Sequence, residues 1–164
     1  NVVRHLMSLS LAQVTKNVSK VDTEDLLSCW LWRLGDIKEI VAITVLGDLF
    51  LVGREKDVYW LQTDCGDLTR VADSVQQFQT YLSDEEKFDT WFLPLLIEKL
   101  INAGKLLEEN QVYSYLQIPV IGGEYSVDNI KPTDMSVHFA YSGQICEQIK
   151  DLPDGTKVKI KVKP

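Results

Sequence analysis

The sequence predicts an α+β fold in a single domain. Helical stretches flank a run of short strands at about 40–71, and a further strand closes the chain. Three observations carry this reading. The chain has 164 residues, 45% of them hydrophobic, enough for one core of ordinary size and too few for two substantial domains. The apolar period switches from helical to extended and back. The turns between residues 39 and 70 are too short for the crossovers that parallel strands require, so that run is an antiparallel meander. No repeat, low-complexity tract or Pro/Gly/Ser-rich linker divides the chain.

Taken in order, residues 4–18 suggest a weak helix on Leu6, Leu9 and Val14. Residues 22–34 form a stronger one: Asp22 or Thr23 can cap it, Leu26, Leu27, Trp30, Leu31 and Leu34 recur at helical spacing, and Gly35 ends it. From Glu39 to Arg70, β-branched and aromatic residues dominate between turn residues, placing strands near 40–46, 48–53, 57–63 and 68–71. Residues 74–82 return to helix behind Ser74. A second helix starts at Asp84, with Glu85 and Glu86 in its first turn and an apolar face of Phe88, Trp91, Phe92, Leu95, Leu96, Leu100 and Ala103. Pro94 predicts a kink or a fresh start inside it, and Gly104 closes it. Val137, Tyr141, Ile145, Ile149 and Leu152 form a last helical stripe before the turn sequence Pro153-Asp154-Gly155. Lys157, Lys159, Lys161 and Lys163 then alternate with Val158, Ile160 and Val162, which predicts a terminal strand with one charged face.

Charge is unevenly placed. The formal net charge is −7, but all 24 acidic residues lie within 1–155 beside only 13 basic ones, so that body carries −11. An acidic body repels phosphate and argues against direct nucleic-acid binding by the lysine tail. The longest weakly charged apolar stretch, 40–50, contains Asp48 and is far short of the roughly 20 residues needed to span a bilayer. No signal-peptide pattern opens the chain, and a cytoplasmic address without membrane contact is expected.

Catalytic chemistry finds little support. Cys29, Cys65 and Cys146 are odd in number and widely spaced, which suits free thiols rather than a disulfide framework or zinc site. The two histidines, His5 and His138, sit in no nucleophile–base motif, and His138 reads as a packed or partly exposed helix residue. Gly122-Gly123 lacks the spacing and Lys-Ser/Thr step of a phosphate loop and reads as a turn. The acidic turn Asp64-Cys65-Gly66-Asp67 lacks the ligand spacing of an EF-hand and reads as a hairpin. No catalytic residue, metal or cofactor is expected. A carboxylate hydrolase using Glu124 and Asp128 is the weakest of the readings.

Residues 47–75, GDLFLVGREKDVYWLQTDCGDLTRVADSV, together with PVIGG at 119–123, VDN at 127–129, SGQI at 142–145 and KDLPDG at 150–155, resemble the C-terminal domain of type VI secretion immunity proteins that neutralise a DNase effector. The resemblance spans about 40–155 and leaves 1–38 as a helical N-terminal part. It implies an α+β domain of the general SUKH build, with a mixed sheet flanked by helices, and a binding protein rather than an enzyme. The implied partner is a cognate toxin, a nuclease, whose basic cleft an acidic protein would attract. Asp64, Asp67, Asp84, Glu85 and Glu86, on a turn and a helix start, are the candidate contacts. The alternative is a cytosolic ligand-binding or regulatory domain without a toxin, in which Gly122, Gly123, Asp128 and Asn129 line the pocket.

Overall fold

A computed structural model describes residues 9–164. Residues 4–8 of the expected 4–18 helix, including His5 and Leu6, lie outside the described residues.

The meander forms as expected. β1 (Thr15–Lys16), β2 (Glu39–Thr44), β3 (Leu49–Val52), β4 (Val58–Gln62) and β5 (Asp67–Ala72) make a five-stranded sheet in the order β1-β2-β3-β4-β5, each pair antiparallel. Every residue of β3 is buried, because the sheet is covered on both faces. Phe50 points into one core with Val58, Phe78, Trp91, Phe92, Ile97 and Leu100. Leu49 and Leu51 point into the other with Ile43, Leu61, Leu26, Trp30, Phe139 and Ile145. The alternation of a single strand thus feeds two cores.

The Phe50 face is covered by α4 (Val75–Tyr81), α5 (Glu85–Phe92) and α6 (Pro94–Asn102), labelled after the short α1 (Leu11–Val14), α2 (Thr23–Leu27) and α3 (Leu31–Leu34). The Ser74 hydroxyl caps α4 by accepting from the Gln77 amide, and Asp84 caps α5 through the Lys87 amide. Pro94 does restart the helix: Leu93 adopts the left-handed conformation at φ 47°, and Pro94 opens α6, where its missing N–H costs nothing. The restart shifts the helical phase. Ile97 and Leu100 are buried, whereas Leu95, expected on the core face, is 63% exposed and Ala103 is exposed. On the opposite face the expected 22–34 helix is broken into α2, a 3-10 turn at Ser28–Trp30 and α3.

Two strands went unread in the sequence. β6 (Gln111–Tyr115) and β7 (Ile130–Asp134) form a separate antiparallel pair, with Tyr113 opposite Pro132. Pro132 is tolerated because a two-stranded sheet is all edge. Asp134 caps the long α7 (Met135–Ile149), accepting from the Ser136 amide at 2.9 Å. Its buried stripe is Met135, His138, Phe139, Ser142, Gly143, Ile145 and Cys146, while Val137 and Leu152 of the expected stripe are exposed.

The C-terminal strand is not formed. Residues 157–164 are extended but join neither sheet. They lie along α7, where two glutamines act as a substitute ladder. Gln148 accepts from the Lys161 amide at 3.1 Å and donates to its carbonyl at 2.7 Å, and Gln144 does the same for Lys163 at 2.7 and 3.3 Å. The spacings match, since four residues of helix rise about 6 Å and two residues of extended chain about 6.6 Å. The period-two pattern was therefore a true sign of extended chain, with helix side chains in place of a neighbouring strand. Both sheets are wholly antiparallel rather than mixed.

Candidate functional site

The tight turn from β2 to β3 places a carboxylate at the edge of the Phe50 core. Gly47 takes φ +82°, and a Cβ there would meet His138 Nε2 at 2.0 Å, so only glycine fits between the turn and α7. Asp48 follows. Its Oδ1 accepts from the Thr63 amide at 3.0 Å, with the Thr63 hydroxyl 3.2 Å away, and its Oδ2 accepts from the Trp60 indole at 3.1 Å. Burial, with a further push from the neighbouring Asp64 carboxylate, raises the Asp48 pKa to about 7.

Asp64 lies at the end of β4 in the turn to β5. Its Oδ2 accepts from the Tyr125 hydroxyl, and its backbone carbonyl accepts from the Val120 amide at 3.0 Å, so the 119–129 loop closes over this turn. Its Oδ1 is shielded from solvent and has no hydrogen-bond partner. Burial first, and then the bond to Asp64, push the Tyr125 phenol pKa up, keeping it protonated as a donor. Tyr115 meets Tyr125 edge to face with ring centres 5.5 Å apart.

Together these groups floor and wall a cleft of about 640 Å³. Trp60, Trp91, Tyr115 and Tyr125 supply aromatic walls, and Asp48, Asp64 and Asp89 face one cation, Lys99. Leu93, Leu95 and Tyr125 rise around the mouth at 37%, 63% and 54% exposure. The arrangement suits binding: an acidic, aromatic interior inside an apolar rim.

Next to it lies a closed polar node. The His138 Nε2–H donates to the Gly47 carbonyl at 2.9 Å, because a carbonyl can only accept, and Nδ1 accepts from the Ser114 hydroxyl at 2.7 Å. The Thr63 hydroxyl completes it, 3.1 Å from Nε2 and donating to the Gly47 carbonyl at 2.7 Å. His138 is buried, and that burial lowers its pKa to about 4. It is a packed residue, one of the two placements that the sequence left open.

The predicted contact residues separate into three places. Asp64 lies in the aromatic cleft. Asp67 lines a second, more polar cavity of about 890 Å³ together with Gly122, Cys146 and the tail segment 156–158. Asp84, Glu85 and Glu86 are exposed at the start of α5, about 7 Å along the helix from Asp89 in the cleft. The four pocket candidates do not converge on one cavity. Asn129 clamps the loop instead, accepting from the Gln117 amide at 2.9 Å and donating to the Gln117 and Glu124 carbonyls at 2.8 Å. A Cβ on Gly123 would sit 1.7 Å from the Gln117 carbonyl oxygen, so this glycine permits the same clamp. Asp128 is exposed.

Sequence reasoning missed Asp48, Trp60, Trp91, Leu95, Lys99 and Tyr125 as site residues. The available signal was Gly47-Asp48 in a hairpin whose next strand carries Trp60. Among the described residues, no group of three or more His, Cys, Asp or Glu side chains could hold a metal ion, and no helix is long and apolar enough to cross a membrane. The cysteines are unbonded, with Cys146 buried and Cys29 and Cys65 half-buried.

Comparison with known proteins places part of this chain. Residues 72–146 match the family described as "T6SS immunity protein Tdi1, C-terminal". PVIGG, VDN and SGQI fall inside the match, whereas residues 47–71 and KDLPDG fall outside it. The crystal structure of Atu4351 from Agrobacterium tumefaciens shares the fold, with a TM-score of 0.50 and 16% identity over 76% of this chain. This chain spans 65% of that protein's length. No curated protein matches. Ten of the fifteen residues lining the cleft lie between 72 and 146. Over residues 72–146, a little under half of its length, the chain is thus similar to the C-terminal region of the T6SS immunity protein Tdi1 family, in line with the type VI immunity resemblance of its motifs.

Proposed function

We propose that this chain is a non-enzymatic immunity protein that binds and inhibits a cognate toxin of type VI secretion, a nuclease, in the cytoplasm. The observation that carries the reading is the family match over 72–146, which contains most of the cleft. The acidic body supports the nuclease: a nucleic-acid enzyme presents a basic cleft, and complementary charge speeds encounter with it. Occlusion of that cleft requires no chemistry from the immunity protein. Asp67, Asp84, Glu85 and Glu86 are exposed and available to steer the encounter. On this reading residues 1–164 act as one unit, with the SUKH-like build as a scaffold.

The test is neutralisation. A type VI nuclease effector sought among the genes adjoining this one is produced with and without the chain, and growth and DNA cleavage are measured. Restored growth and suppressed cleavage establish immunity; unchanged toxicity with both proteins present refutes it.

A further inference from the structure

We infer that the aromatic cleft between α5, α6, β4 and the 119–129 loop is the socket for an arginine side chain of the partner protein. The inference rests on the immunity reading for the partner's identity. The cleft's chemistry stands independently of it.

Charge comes first. Three carboxylates, Asp48, Asp64 and Asp89, face the single ammonium of Lys99, so the interior favours a cation. Hydrogen bonding narrows the choice. The oxygens of Asp48 are engaged by Thr63 and Trp60, but Asp64 Oδ1 is shielded and unpartnered. A buried carboxylate oxygen without a donor is costly, and a planar guanidinium brings several N–H groups. The walls agree, because guanidinium planes stack on aromatic faces, and two tryptophans and two tyrosines line this space. The rim identifies the carrier as a protein. Leu95 and Leu93, left outside the core by the restart at Pro94, stand exposed around the opening with Tyr125. An apolar ring about a desolvated polar anchor is the anatomy of a protein interface hot spot.

Titration of the floor gives a further expectation. Asp48, with a pKa near 7, faces Asp64, Asp89, Lys99, Tyr115 and Tyr125 across the cleft, and a bound cation would favour its ionised form. Guanidinium binding therefore weakens as pH falls below 7.

The experiment has two arms on the full chain. In the first, N-acetyl-arginine methylamide and its neutral citrulline analogue are titrated while the Trp60 indole N–H is followed by NMR, assigned with Trp60→Phe. The arginine probe should shift that resonance saturably, the citrulline probe should not, and Asp64→Asn should weaken the probe at least about 10-fold. In the second arm, affinity for the neighbouring effector is measured. Asp64→Asn should weaken it at least about 10-fold, and Lys99→Gln should strengthen it. Equal shifts with both probes, no shift with either, or wild-type effector affinity in Asp64→Asn overturns the inference. Failure of the wild-type chain to bind any effector counts against the immunity reading instead, and the probe arm still reads the cleft.

Discussion

Two polar clusters meet at Thr63, and they are built on opposite rules. Around His138 each ring nitrogen has a partner, the side chain is buried, and the histidine joins the β2–β3 turn, the end of β4, β6 and α7. Around Asp64 a shielded oxygen is left without a donor and the walls stop short of closing. A satisfied, buried network specifies the fold; the unpartnered oxygen beside an opening is what the proposed guanidinium site is built on. The difference shows how one chain can keep a rigid frame and a receptive surface within a few ångströms. It also makes the two clusters separable by experiment, since damage to the first should appear as lost stability and damage to the second as lost binding.

The largest effect should come from Gly47→Ala. The new methyl group would collide with His138 and hold alanine at positive φ, so a loss of roughly 3 kcal/mol or more is expected, read from denaturant unfolding. His138→Ala should cost about 3 kcal/mol, because it opens a cavity, leaves the Ser114 hydroxyl without its partner and removes one of the two donors to the Gly47 carbonyl.

The clusters should also respond to pH in opposite directions. His138 has its folded pKa lowered from 6.5 to about 4, so the stability it gives is complete above pH 6.5 and disappears as pH falls through 4, about 3 kcal/mol in total. Asp48 has its folded pKa raised from 3.8 to about 7, so the stability it gives is complete below pH 3.8 and disappears as pH rises through 7. In the window between 4 and 7 the two oppose each other. Unfolding curves across this range should show His138→Gln gaining on the wild type toward acid and Asp48→Asn gaining toward neutral pH. Parallel curves for all three proteins would contradict both assignments.

The smallest effect belongs to the tail. Truncation after Thr156 removes the four glutamine-ladder bonds, which are exposed, so a loss of about 1 kcal/mol or less is expected from thermal unfolding.

The sequence disclosed the frame better than the cleft. The meander was legible because β-branched runs and turn residues mark both its strands and its ends, and Pro94 marked a break in the helix, though not whether as a kink or a restart. The phase of α6 was not, since Leu93 resets the angular count and carries Leu95 outward. The stripe of α7 was misjudged because its buried face includes His138, Ser142 and Gly143, which an apolar count passes over. β7 was hidden by Pro132. Asp64 could be nominated as an acid on a turn, but Asp48 read only as hairpin punctuation. Tyr125, 61 residues from Asp64, meets it only after the 119–129 loop folds over the sheet.

The most direct test of the central contrast is a paired measurement on Leu95→Glu: thermal stability, and affinity for the neighbouring effector. Leu95 touches the rim and not the core, so the melting temperature should stay at its wild-type value while affinity falls at least about 100-fold. An unchanged affinity at unchanged stability would contradict the proposal that the cleft is the toxin-binding surface.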